Sequence, residues 1–568
     1  MVRDRAGRLA AAGWSVLAAA LVWGALVLPS SVAQLTWVSL VSLPLTLLVG
    51  LAVLIVVPRV ARPAVAMTLG ALLALVVVLK ALDIGFSVVA DRRFHVYYDL
   101  TNLVRGYEVL SGWAGPGWAV LAVVASVVAT LLLAALLVLA MARLARLVTV
   151  HRTRAVVVLL VGTLAGGTLA ATGAQVAGEP VTSRATAQLV HDHVADGVND
   201  YRDEGVFAEA IATDPVAARA GSLRGLAGKD VLVVFVESYG RAALRDPELA
   251  KGVTPVLTAG EQSLGEVGFT ARSAWLTSPT FGAGSWLAHA SLQSGLWVDS
   301  DRRHDQLLSS DRLTLTRAFD DAGWRTSFVQ PAVQEQWPQG QAFYGFDELY
   351  AADDLDYRGP PLGWGGVPDQ YTLSWFQREV LSQGDGPVMA EIDLVTSHNP
   401  WPQPPPQVPW EGVGDGSVYA CMPGCADEGD DDVRSRYAAS IGYSLESVIS
   451  FVVEHPDPDL VVLLVGDHQP WGHVAGEEAG HDVPVSLITG DPAVRDAMAW
   501  WLWTPGLVPQ EQSPQWRMDI VRDHFLRAFS TPPAVGHDPF GQLSGTSTPP
   551  VTTGSPSGAK SAHESRGR

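Results

Sequence analysis

The chain has 568 residues, too many for one ordinary domain, and 48% of them are hydrophobic. Its mean hydropathy of +0.20 is unusual for a wholly soluble protein. The formal net charge of −20 excludes nucleic acid as a partner, because that role needs a basic footprint.

The first third carries the hydrophobic excess. Apolar runs recur at about 9–27, 35–57, 64–89, 118–141 and 156–177. Each is long enough to cross a bilayer core, which takes about 20 residues. The run at 9–27 could be misread as a signal peptide, but further spans follow it. Basic residues set the orientation. Arg3, Arg5 and Arg8, then Arg59 and Arg62, then Arg143, Arg146, Arg152 and Arg154 fall on one side of a five-span bundle, so that side is cytoplasmic. Arg92, Arg93 and Arg105 in an opposite loop are a weaker contrary signal. Five spans with the N-terminus inside put everything after Ala177 outside, as expected of a multi-pass plasma-membrane protein. Lys80 and Asp83 read as interfacial residues near the outer end of the third span.

The expected division is 1–177 as the transmembrane domain, 178–225 as a juxtamembrane linker, 226–529 as an extracytoplasmic domain and 530–568 as a disordered tail. The linker is polar, with a helix expected over 181–208 along the membrane surface. The tail is rich in Pro, Ser, Thr and Gly. Within 226–529, apolar strands alternate with helices expected at 254–264, from 285 onward, at 313–322, 370–381 and 434–454. That alternation predicts an α/β fold with a mostly parallel sheet covered on both faces. The loop 412–432 holds Cys421 and Cys425, a pair close enough for a local disulfide.

Two strands carry chemistry at their exits. DLVVLLVGDHQP, 459–470, is a buried strand ending at Gly466 and followed at once by Asp467 and His468. DVLVVFVESYG, 230–240, repeats the design and ends on Glu237. A carboxylate ending an apolar strand costs desolvation energy unless it is paired or bound to a metal. Together the two strands would deliver three ligands for a divalent cation to one sheet edge, where open α/β sheets bind ligands. In FGAGSWLAHASLQSGL, 281–296, Ser285 stands where a helix would begin. There a hydroxyl either caps the helix or meets a phosphate at its positive end.

The segments VVFVESYG, GAGSW, TSHNPW at 396–401 and LLVGDHQP, in this order, resemble the lipoteichoic acid synthase and phosphoglycerol transferase group. That group lies in the sulfatase-like branch of the alkaline phosphatase superfamily, and the resemblance covers about 226–526. It implies one metal held by Glu237, Ser285, Asp467 and His468, with Mn²⁺ the expected ion and Zn²⁺ or Mg²⁺ the other options. It also implies Ser285 as nucleophile, and His398 and His481 as phosphate-facing histidines. Trp337 would be a wall of the headgroup pocket, against ordinary core packing as the plain alternative. Lipoteichoic acid synthases carry an Arg two residues after that Trp; here the position is Gln339. His289, one turn after Ser285, reads as a packing residue.

The implied activity is transfer of a phosphoglycerol-like headgroup from a phospholipid donor to a cell-envelope glycan or glycolipid acceptor, through a phospho-Ser285 intermediate. Phosphoethanolamine transfer by the same mechanism, or hydrolysis by a sulfatase-like phosphodiesterase, is the alternative. Sulfatase chemistry itself needs a C/S-x-P-x-R pattern; here Leu287 stands where Pro belongs and His289 where Arg belongs.

Overall fold

The structure is a computed structural model. It describes residues 2–530 apart from 32–33, 91–92, 97–98, 100–105, 108–110, 112–114, 218–222, 335–336, 364–365, 385, 422–431 and 477–478. Cys425 and the expected tail from 531 onward therefore lie outside the described residues.

Among the described residues, four helices are long and apolar enough to cross a membrane: α1 (Val2–Val27), α3 (Arg62–Ala90), α4 (Pro116–Val150) and α5 (Arg152–Thr172). The apolar run at 35–57 does not form one continuous helix. A short turn of helix, Trp37–Val41, gives way to extended chain at Leu43–Pro44 before α2 (Leu45–Val56) begins. Pro44 lacks an N–H and disfavours helix at the residue before it. With 12 residues α2 reaches about 18 Å, short of a core of about 30 Å. The side chains of Leu43, Leu45 and Leu48 lie against the bare backbone of Gly162 and Gly166 in α5.

Lys80 and Asp83, expected at the interface, are 0% and 1% exposed. Lys80 Nζ donates to the carbonyls of Ala25 and Leu26 and to Thr186 Oγ1, each at 3.1 Å. Asp83 accepts from the Phe94 N–H and lies 3.3 Å from His193 Nε2. Thr186 and His193 belong to α6 (Ala185–Ala212), the helix expected over 181–208, so these charges join the bundle to the connector.

The C-terminal domain is built on a nine-stranded sheet. Its strands are β1 (Asp230–Val236), β2 (Thr270–Thr277), β3 (Arg325–Gln330), β4 (Glu348–Ala351), β5 (Val388–Leu394), β6 (Leu460–Gly466), β7 (Asp482–Thr489), β8 (Thr504–Pro505) and β9 (Gln515–Arg517). The order is β8-β2-β7-β6-β1-β5-β3-β4, with β9 beside β2. From β6 to β4 every pair is parallel, whereas β7 runs antiparallel to both β6 and β2.

Alternation along β1 explains its unbroken apolar run. Leu232, Val234 and Val236 enter one core cluster, and Val231, Val233 and Phe235 enter another on the opposite face. The first face is covered by α7 (Ala250–Glu266), α11 (Asp369–Glu379) and α12 (Val433–Glu454). The second is covered by α8 (Ser285–Ser294), α10 (Leu315–Asp321) and the C-terminal α14 (Val521–Phe529); α9 (Asp301–Leu308) flanks α8. A strand buried on both faces has no polar side to show. A four-residue helix after β6, α13 (Gly472–Ala475), packs against α3 and so places the exit of β6 beside a candidate span.

Candidate active site

Strands β6 and β1 are parallel neighbours, so their carboxyl ends meet at one edge. The turn after β1 closes tightly over the end of β6. A Cβ at Gly466 would lie 2.0 Å from the Tyr239 carbonyl oxygen, so this approach requires glycine. Ser238 takes a left-handed conformation (φ 57°), which turns its N–H onto Asp467. Asp467 Oδ1 accepts that N–H at 2.7 Å and the His468 N–H at 2.6 Å. Its other oxygen, Oδ2, lies 3.5 Å from His468 Nε2. The Gln469 carbonyl, which can only accept, is 2.8 Å from His468 Nδ1. Nδ1 therefore carries a proton, which leaves Nε2 as the nitrogen that would face a metal ion once deprotonated.

Ser285 completes the group. Gly284 adopts φ 83° and serves as the N-cap of α8, so Ser285 is the first helical residue and not the cap. Its hydroxyl donates to Glu237 Oε2 at 2.9 Å and lies 3.3 Å from His468 Nε2. Glu237 Oε1 is 3.5 Å from the same nitrogen and accepts from Ser238 Oγ at 2.9 Å. Buried anchors hold the turn from below. Ser397 Oγ donates to the Glu237 carbonyl at 2.6 Å, Ser278 Oγ to the Asp467 carbonyl at 2.6 Å, and Tyr437 OH to the Ser238 carbonyl at 2.8 Å.

The donor set fits a divalent cation. Two carboxylates, one imidazole nitrogen and one hydroxyl converge, with spacings near the roughly 3–3.5 Å of ligands about 2.0–2.2 Å from a tetrahedral ion. The electrostatics point the same way. Burial and the charge of Glu237 push Asp467 up to about 7. Burial works against Glu237 too, but the imidazoles of His468 and His398 outweigh it and hold that carboxyl at about 2. Burial lowers His468, yet Asp467 and Glu237 together raise it above the ordinary histidine value. Like charges this close are offset by a proton or a cation.

Glu237, Ser285, Asp467 and His468 are thus brought together. His398 follows β5 at the same edge, donates from Nδ1 to the Asn399 carbonyl at 2.6 Å and is felt electrostatically by Glu237. His481 lies 3.3 Å from the Ser278 carbonyl, one residue contact from Asp467, with its ring against Phe281. Trp337 takes its ring contacts from His304 and Tyr344, in the apolar cluster that holds Leu287 and Ala290 of α8. Gln339 is exposed on the short helix that follows Trp337.

Sequence reasoning missed a second group. His289, read as packing, stacks on Phe235 with ring centres 3.9 Å apart. Its Nδ1 lies 2.9 Å from Glu391 Oε1 and 3.6 Å from Asp393 Oδ1, and Gln293 Nε2 donates to Glu391 Oε2 at 2.5 Å. Burial lowers His289, but Asp393 and Glu391 overcome it and raise it to about 9. Burial, with Glu391 and Asp467 adding, raises Asp393 to about 8. The available signal was the spacing of Glu391 and Asp393 in an apolar strand, two apart and therefore on one face.

No protein-family model matches the chain, and no curated protein matches it. Solved structures similar to it include the lipooligosaccharide phosphoethanolamine transferase EptA from Neisseria meningitidis, an integral membrane protein. That likeness has 14% identity, covers 87% of each chain and has a TM-score of 0.40. The lipoteichoic acid synthase LtaP from Listeria monocytogenes is 14% identical over 55% of this chain and 77% of its own, with a TM-score of 0.35. The phosphoglycerol transferase GacH from Streptococcus pyogenes, in complex with sn-glycerol-1-phosphate, is 14% identical over 58% of this chain and 90% of its own, with a TM-score of 0.35.

Proposed function

We propose that this chain is a membrane-bound, metal-dependent phosphotransferase that moves a phosphoglycerol-like headgroup from a phospholipid to a cell-envelope acceptor. The observation that carries this reading is the placement of the Ser285 hydroxyl. It is the first residue of a helix, 2.9 Å from Glu237 Oε2 and 3.3 Å from His468 Nε2.

Glu237, Asp467, His468 and Ser285 would hold the ion, with Mn²⁺ proposed from the sequence resemblance. When bound, the ion lowers the pKa of the serine hydroxyl and offsets charge on the phosphoryl group. The first turn of α8 adds N–H groups and the positive end of the helix dipole, both suited to a phosphate. Ser285 Oγ attacks phosphorus, forming an O–P bond while the bond from phosphorus to the diacylglycerol oxygen breaks. The serine proton, directed at Glu237 Oε2, is lost to solvent, and the departing oxygen takes one up. His398 and His481 orient the phosphoryl oxygens. An acceptor hydroxyl then displaces Ser285 in a second, like step. Trp337 lines the headgroup side in this reading. The packing of α13 on α3 supports a β6 exit close to the bilayer, where the effective concentration of a lipid donor would be high.

Gln339 supports phosphoethanolamine as the second reading, because it stands where a cation for glycerol phosphate is expected. The purified full-length protein, incubated with phospholipids carrying differently labelled headgroups, separates the two. Label should pass to the Ser285 peptide from one headgroup class only. Label on no peptide, with release of none, would defeat the transferase reading.

A further inference from the structure

Helix α6 is amphipathic in the opposite sense to a buried strut. Around buried Leu189 and Phe207, its protein-facing side carries polar and charged groups. Thr186 Oγ1 donates to the Leu26 carbonyl at 2.8 Å and accepts from Lys80. Asp192 pairs with Arg93 at 2.7 Å, His193 with Asp83, and Asp203 with Arg303 at 2.5 Å; Glu204 pairs with Arg302. Its outward side is apolar. Ala187, Val190, Val194, Val198 and Tyr201 fall on one face at 3.6 residues per turn, a stripe about 21 Å long without a charge. These side chains are open: Val190 is 45% exposed, Val194 63%, Val198 46% and Tyr201 72%.

We infer that this stripe lies in the membrane–water boundary, with lipid as its occupant. The helix starts where spans end. Its first turn is bonded to the last turn of α1 and to Lys80 of α3, and the strand pairing of Leu43 with Thr182 ties its entry to the start of α2. The stripe therefore continues the apolar surface of the spans. Along the stripe, Asp192, Asp196 and Asp200 fall on the other side of the helix, where Asp192 pairs with Arg93 and Asp200 with His95; beyond it Asp203 and Glu204 pair with Arg303 and Arg302. An uncharged apolar face with an aromatic hydroxyl near its end suits the headgroup–acyl boundary. The seating has a consequence for the active site. Phe207 of α6 shares an apolar cluster with Leu287 and Ala290 of α8, so the depth of α6 sets the height of Ser285 above the lipid.

The test uses full-length protein in phosphatidylcholine–phosphatidylglycerol vesicles, with Cys421 and Cys425 replaced by serine. An environment-sensitive fluorophore is placed on a single cysteine at Val194→Cys, Val198→Cys or, as a control on the catalytic domain, Lys251→Cys. Emission at 194 and 198 should be blue-shifted relative to 251 and quenched several-fold more by lipids spin-labelled near the headgroup. Equal quenching of all three sites by aqueous iodide overturns the inference. So does protection of 194 and 198 from both quenchers together with cross-linking of Val194→Cys between two chains, which would make a second copy the occupant. The depth readout needs no turnover, so its failure leaves the phosphotransfer reading untouched.

Discussion

Ser285 Oγ stands 2.9 Å from Glu237 Oε2, across 48 residues of sequence, and makes no helix cap. A capping serine would cost about 1 kcal/mol on truncation and leave chemistry intact. Ser285→Ala removes the hydrogen bond to the Glu237 carboxylate, worth about 1.5–3 kcal/mol, and should abolish turnover. Ser285→Thr keeps the hydroxyl at nearly the same place and should retain measurable activity. Denaturation and headgroup-release assays on the same three proteins check both halves. Full activity of Ser285→Ala would remove it as the nucleophile.

Metal content separates the ligands from their supports. Asp467→Ala and Glu237→Ala each remove a donor, and each should weaken Mn²⁺ binding and abolish turnover while the domain stays folded. Tyr437→Phe removes only a hydrogen bond to the Ser238 carbonyl. It should cost about 1 kcal/mol of stability and leave one ion per chain. Isothermal titration with Mn²⁺ reads all three; unchanged affinity in Asp467→Ala would strike that residue from the site.

His289 of α8 and Glu391 of β5 form a buried ion pair, 2.9 Å apart. Removing one partner of such a pair costs about 3–5 kcal/mol, because the other charge is left uncompensated. His289→Phe should show that loss. Glu391→Gln added to it should recover part of the stability. A double-mutant cycle by urea unfolding measures the coupling, and strict additivity would mean that the two residues do not act as a pair.

Much of this arrangement is legible from residue order alone. The strand exits at Glu237 and Asp467 announce themselves because β1 from Val231 to Val236 and β6 from Leu460 to Val465 are unbroken apolar runs with the first charge just past their ends. The helices expected at 254–264, 370–381 and 434–454 appear as Ala250–Glu266, Asp369–Glu379 and Val433–Glu454. Strand β2 was not anticipated, since TARSAWLT mixes Arg and Ser into a run whose polar groups are satisfied from β7 and the residues flanking β8: Ser273 Oγ bonds to Ser486 Oγ and the Gly506 carbonyl, and Arg272 to the Trp503 carbonyl. His289 escaped for a related reason. Its partners lie 102 and 104 residues away, and only the pairing of β5 with β1 brings them beneath α8. The break at Pro44 was readable, but apolarity alone spoke for a continuous span.

Titration offers the last prediction. Asp467 and Asp393 are raised to about 7 and about 8, both by burial first, and His289 to about 9. For each group the folded state holds its proton more strongly than the unfolded chain does. Each contribution to stability is therefore present at low pH and lost as pH rises through the folded value. Asp467 loses its share between about pH 4 and 7, and His289 between about pH 6.5 and 9. Glu237, held at about 2, acts in the opposite sense but only below about pH 4.5. Without metal, the C-terminal domain should melt at steadily lower temperature from pH 5 to pH 9. A divalent cation replaces the proton on Asp467, so added Mn²⁺ should raise the melting temperature more at pH 8 than at pH 5. Asp467→Asn should flatten the slope below pH 7 and abolish most of the Mn²⁺ effect. A metal-free melting temperature that holds level or climbs across this range would show that the buried carboxylates are already compensated by other groups.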